Sequence, residues 1–327
     1  MLNSPYKPPY TITSRIVHLV SEISETIALL KYRTETAALP MLRRINRIKT
    51  LTGTLEIEGN YAGEEKITAL LDGRRVEGTA RELAEVEGAI KAYEAIDTYR
   101  YSHMDDLLRA HKLMTSKLLE DAGSFRAVNV AVGAHIAPPH THVPTLMQKL
   151  FEWLGDSDEH LLIKSCVFHY EFEFIHPFRD GNGRIGRLWQ SVILTAHNPL
   201  FGILPTESII RDHQEAYYEA IERSTRAGEC TVFIEFMLAR ILEAIEKVGN
   251  EVGSKVGNEY GNTFANLTDN QQAIINSMKT NPKVSAAMLA EIVGISKRKV
   301  EENVAKLKKM GLVERVGGTR GYWVARV

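Results

Sequence analysis

The chain has 327 residues, 44% of them apolar and 25% charged, with a net charge of −1 at pH 7. This is the balance of an ordinary soluble globular protein, long enough for a main domain with a full core plus a smaller one. Cys166 and Cys230 are the only cysteines and belong to no C-x-x-C or Cys/His pattern. Two inert core thiols in a reducing compartment are therefore expected, rather than a disulfide or a metal site. The proline-rich N-terminus has no basic-then-apolar leader pattern, and uncharged runs such as Leu188–Thr206 are broken by Gln190, His197, Asn198, Pro199 and Pro205. No membrane span and a cytoplasmic protein are expected.

In chain order, residues 11–120 are sparse in Gly and Pro and carry apolar residues at helical spacing, as in Ile16-Leu19-Val20-Ile23. They predict mostly helix. After Gly123-Ser124 the alternation Val128, Val130, Val132 and the breakers Gly133, Pro138, Pro139 and Pro144 predict a short β-hairpin. His135, His140 and His142 invite a metal reading, but neither cysteines nor helical His spacing support it. Helices are predicted over Leu146–Leu154, Leu161–Phe174, the stretch up to Ala196, Ile209–Ser224 and Val232–Val248. Gly249, Gly253, Gly257 and Gly261 then recur every fourth residue. A linker is favoured there over a close-packed helical face, since each helical Gly costs about 1 kcal/mol against Ala.

The most informative stretch is His176-Pro177-Phe178-Arg179-Asp180-Gly181-Asn182-Gly183-Arg184-Ile185-Gly186-Arg187. Glycines let main-chain N–H groups approach an anion, and a helix starting there aims its positive end at the same point. Arg184 and Arg187, three apart, share a helical face and can grip a polyphosphate. Asp180 is an oxygen ligand suited to Mg²⁺, and His176 titrates near neutrality and can act as a base. Gly181 to Gly186 also matches the dinucleotide pattern G-x-G-x-x-G. However, the lead-in from Leu161 to Phe174 carries Lys164, Glu171 and Glu173 and reads as helix rather than buried strand.

These twelve residues resemble the signature of the Fic family, H-x-F-x-[D/E]-G-N-G-R-x-x-R, at every fixed position. The resemblance implies a protein adenylyltransferase that moves AMP from ATP to a Ser, Thr or Tyr hydroxyl of a target protein or of itself. It implies His176 as base, Asp180 as Mg²⁺ ligand, and Phe178 as a buried anchor. Asn182 and the amides around Gly181 and Gly183 correspond to the hole for the inner phosphates, with Ile185 and Gly186 in the same nucleotide-binding run. Arg184 and Arg187 correspond to the pair on the outer phosphates. Relatives that phosphorylate replace the second motif glycine with Lys, so Gly183 argues for nucleotidyl transfer. The hairpin segment Val132-Gly133-Ala134-His135 resembles the family's flap, which borders the nucleotide and registers a target segment by strand addition. Tyr217 matches a family position beside the adenine, with helix packing as the alternative. Thr54-Leu55-Glu56-Ile57-Glu58-Gly59 resembles the family's inhibitory motif, so Glu58 is expected to pair with Arg187 and spoil γ-phosphate binding.

The last 63 residues carry 11 Lys and Arg against 5 Asp and Glu, a local charge of +6 beside −7 for the rest. A helix over Asn270–Met278, a short helix from near Ser285, the turn Val293-Gly294-Ile295 and a helix over Ser296–Met310 are predicted. Gly317-Gly318 then joins strands Leu312–Val316 and Gly321–Val324. The order resembles a winged helix-turn-helix, which serves nucleic acid or protein docking.

The expected architecture is mainly α. It comprises an N-terminal helical region with the inhibitory motif (1–100), a catalytic Fic core (101–248), a Gly-rich linker (249–264) and a winged helix (265–327). The alternatives are a DNA-binding regulator with a nucleotide-sensing Fic module and an enzyme that removes AMP, with Glu58 orienting a water. An inhibited homodimer is a further expectation from the family.

Overall fold

A computed structural model describes residues 6–34, 39–132, 135–253, 267–309, 312–317 and 321–325. Helices dominate: α1 Ser14–Thr34, α2 Leu39–Ile57, α3 Gly63–Leu71, α4 Ala80–Glu94, α5 Met104–Thr115, α6 Val143–Asp156 and α7 Leu161–Ile175. They continue as α8 Asn182–His197, α9 Thr206–Asp212, α10 Gln214–Ala227, α11 Thr231–Gly253, α12 Asp269–Thr280, α13 Ala286–Val293 and α14 Lys297–Lys309. The strands form two antiparallel pairs, β1 Ala131–Val132 with β2 His135–Ile136 and β3 Val313–Val316 with β4 Tyr322–Ala325. No described helix is long and apolar enough to cross a membrane.

The chain forms two compact units, one of residues 1–27 and 46–246, the other of residues 28–45 and 247–327. In the first, α7 is buried on nearly every side, as expected of a helix apolar all round. Trp189, Phe168, Phe172, Phe178 and Phe233 are among the largest fully buried side chains of this unit. Gly186 lets α8 lie close to α7, since a Cβ there would stand 2.6 Å from Glu173 Oε1 and 3.2 Å from Phe172 Cδ1. The start of α4 is fixed by a capping box, Thr79 bonding the Glu82 N–H and the Glu82 carboxylate bonding the Thr79 N–H.

The second unit contains the winged helix-turn-helix. Its core of Ile274, Met278, Leu289, Val300 and Leu307 is closed by Trp323, whose indole N–H donates to Val284 O at 3.1 Å. Thr268 and Gln271 form the capping box of α12, and Gly294 ends α13 with φ of 70°. Strand β3 runs antiparallel to β4 from Val313 opposite Ala325 to Val316 opposite Tyr322.

Two expectations are corrected. The single helix expected over Ile209–Ser224 is two, α9 and α10, because His213 leaves helical geometry (φ −119°, ψ 31°) and turns its ring toward Glu243. Helix α11 runs on to Gly253, so Gly249 and Gly253 are helical rather than linker. Gly257 and Gly261 lie outside the described residues.

Candidate active site

The site is assembled where α7 ends and α8 begins. His176 terminates α7 in the left-handed region, with φ 49° and ψ 61°, the only non-glycine residue of positive φ among those described. The loop then descends into the core at Phe178, which is fully buried and stacked on the His111 ring, centroids 3.7 Å apart and planes within 2°. His111 Nδ1 accepts from the Gly123 N–H at 2.9 Å, so its Nε2–H donates to Asp180 O at 3.0 Å. Burial pushes its pKa down to about 4 and keeps that neutral tautomer near pH 7.

Asn182 holds the loop from the inside. Its amide oxygen accepts from Phe178 N–H and its amide nitrogen donates to Phe178 O, both at 2.8 Å. The side chain thus braces the turn, while its main-chain N–H belongs to the first turn of α8. Gly181 is the N-cap of α8 with φ of 84°, a conformation that favours glycine. The first-turn N–H groups of α8 have no intrahelical acceptor and open at this point. Arg184 is 3% exposed, yet among the described residues nothing accepts from its Nε or Nη1. Only Nη2 is engaged, with Asp180 Oδ1 at 3.4 Å. Asp180 itself is partly exposed; Oδ1 accepts from Gly181 N–H at 2.6 Å and Oδ2 lies 3.5 Å from Arg81.

Arg187 is already occupied. Its Nη2 donates to Glu58 Oε1 at 2.6 Å and to Thr54 O at 3.2 Å, and its Nε donates to Thr54 Oγ1 at 3.1 Å. Burial opposes the charge on Arg187, but Glu58 leads the interactions that more than offset this and hold it cationic. The carboxylate contact is single rather than forked, and Thr54 supplies the remaining acceptors. Gly183 makes the contact sterically feasible, because a Cβ there would stand 2.2 Å from Glu58 Oε1. Glu173 Oε1 is buried with no hydrogen-bond partner among the described residues, and burial lifts the Glu173 pKa to about 8.

Other expected residues are placed differently. Tyr217 is 1% exposed and its hydroxyl lies 3.1 Å from His169 Nε2, so it packs in the core rather than lining an open nucleotide site. Tyr218 is the exposed member of the pair, its hydroxyl 3.5 Å from Ile57 O. Ile185 is buried, and Gly186 faces α7 rather than the cradle, so these two motif residues serve helix packing. Val132 and His135 are main-chain partners in the β1–β2 pair. Gly133 and Ala134 lie outside the described residues. His140 takes Asn129 Oδ1 as partner at both its N–H and its Nδ1. No motif marks His111, while Thr54 opens the stretch that resembles the inhibitory motif without an expected role of its own.

Residues 101–194 match the model of the Fic/DOC family, and residues 267–314 match a winged helix-turn-helix DNA-binding model. A crystal structure of a Fic family protein from Desulfovibrio desulfuricans is 38% identical and superposes with a TM-score of 0.72, covering 98% of each chain. The chain belongs to the Fic family. Fic-1 from C. elegans shares the fold at 21% identity, with a TM-score of 0.60 over 73% of this chain and 74% of its own. Curated relatives named protein adenylyltransferase Fic include one from Culex quinquefasciatus, 26% identical over 58% of this chain. Another, from Drosophila ananassae, is 27% identical over 65% of this chain. This Fic chain spans less than half the length of those relatives, 39% and 44% respectively.

Proposed function

We propose that this protein transfers AMP from ATP to a hydroxyl of a protein target, and that Glu58 restrains it. The observation carrying this reading is the buried guanidinium of Arg184, with two nitrogens unpartnered among the described residues, beside the N-terminus of α8. A buried cation with unused donors at a helix start is built to receive a polyanion. The phosphates of ATP fit that cradle through the α8 amides and Arg184, and the partly exposed Asp180 carboxylate fits Mg²⁺. When bound, the metal would neutralise phosphate charge.

The target oxygen attacks the α-phosphorus, the bond from that phosphorus to the bridging oxygen breaks, and pyrophosphate leaves. The imidazole of His176 takes the hydroxyl proton, which is worth about 10²–10⁴ in rate. Positioning by the α8 amides and charge stabilisation by Arg184 and Arg187 supply most of the rest. Arg187 serves the outer phosphate only after Glu58 and Thr54 release it, so the state described here is restrained.

The test is incubation of the Glu58→Gly variant with ATP labelled at either the α- or the γ-phosphate. Label from the α position should remain on protein and label from the γ position should leave. Retention of γ-label, or of neither, overturns the proposal.

A further inference from the structure

Arg126 belongs to none of the sequence motifs, yet it is 3% exposed and directs its hydrogen bonds to main-chain carbonyls. Nε donates to His176 O at 2.8 Å and Nη1 to Val128 O at 2.7 Å. Nη2 donates to Pro138 O and, at 3.4 Å, to Ile175 O. Its own main-chain N–H donates to Pro177 O at 2.9 Å. Val128 and Pro138 lie on the two sides of the β1–β2 hairpin, while Ile175, His176 and Pro177 close α7 and open the motif loop. One side chain therefore ties both roots of the hairpin to the backbone of the residue read as the base.

Packing alone does not account for this choice. A buried cation is costly to desolvate, and among the described residues no carboxylate pairs with Arg126. What the charge does achieve is geometric. The left-handed conformation of His176 is strained for a residue with a side chain and persists only where the surroundings fix it. The carbonyl that Arg126 Nε holds is the one belonging to that residue. A planar fork with several fixed donors can hold three segments in one register, which a lysine ammonium cannot.

We propose that Arg126 is the positioning residue that sets His176 against the hairpin, so that a target segment docked there presents its hydroxyl to the imidazole. This rests on the transfer reaction above and adds the element that couples docking to the base. The test uses Arg126→Ala and Arg126→Lys in the Glu58→Gly full chain, with three readouts. Affinity for an ATP analogue should stay within about twofold, because no bond links Arg126 to Arg184, Arg187 or Gly181. Self-labelling at saturating ATP should fall at least about 100-fold in Arg126→Ala, stay low in Arg126→Lys, and recover in part when millimolar guanidinium ion is added to Arg126→Ala. Amide exchange should quicken together in residues 128–132 and 135–137 and in Ile175, His176 and Phe178.

Undiminished labelling in Arg126→Ala overturns the proposal, as does loosening of only one of the two segments. Exchange rising across the whole unit together with loss of ATP affinity also overturns it, since that marks a merely structural role. A parent that binds ATP without labelling refutes the transfer reading instead, and the paired exchange then still decides whether Arg126 couples the two segments.

Discussion

Releasing Arg187 from Glu58 should change nucleotide affinity by a calculable amount. The contact is one charge-assisted hydrogen bond of 2.6 Å, donated by a guanidinium that is 1% exposed to a carboxylate that is 34% exposed. Bonds to charged groups of this kind are worth about 1.5–3 kcal/mol, and the partial exposure of Glu58 argues for the lower half of that range. If ATP must displace this contact to reach Arg187, the apparent affinity is reduced by the fraction of molecules in which it is open. At about 1.4 kcal/mol per tenfold, Glu58→Gly should bind a non-hydrolysable ATP analogue roughly 10- to 40-fold more tightly than the native chain. Glu58→Gln, neutral but still able to accept, should fall between. The assay is titration calorimetry with the ATP analogue and, in parallel, with AMP, which has no outer phosphate to reach Arg187. Equal tightening for AMP and the ATP analogue, or no tightening for either, refutes the reasoning.

Two further outcomes follow from neighbouring residues. Gly183→Ala should destabilise the native chain by about 1–2 kcal/mol in urea, because the added methyl overlaps Glu58, and should cost much less in a Glu58→Gly background. Equal costs in both backgrounds would mean the methyl meets something other than Glu58. Glu173 has a folded pKa near 8 against an ordinary value of 4.5, so the folded state retains a proton that the unfolded state gives up across that window. Stability should therefore fall as pH rises from about 4.5 to 8, by at most about 1.4 kcal/mol per pH unit from this group. Glu173→Gln should remove that slope, and an unchanged slope in denaturation midpoints would contradict the assignment.

The motif loop was legible in the sequence because its chemistry dictates residue type and spacing. Close main-chain approach to an anion needs glycine at fixed offsets, and the Phe178 anchor and Gly181 turn occupy the positions expected of them. The winged helix was legible for a similar reason, since Ser285 and Gly294 are local signals that mark where a helix starts and stops. The pair Glu58–Arg187 is 129 residues apart in the chain and was visible only through family resemblance. Tyr217 shows the limit of spacing, which fixes the face of a helix but not the depth to which it is buried. The break at His213 has neither Gly nor Pro to announce it. Arg126 left no trace because its partners are main-chain carbonyls, which every residue type supplies equally.

The role of His176 as the base at a nucleotide seated on α8 is tested most directly by separating binding from transfer. The measurement compares Glu58→Gly with Glu58→Gly/His176→Ala for affinity toward Mg·ATP and for the rate of AMP incorporation at saturating nucleotide. Affinity should agree within about twofold while incorporation falls by about 10²–10⁴. Incorporation surviving in the double variant, or lost only in proportion to lost affinity, would contradict the account.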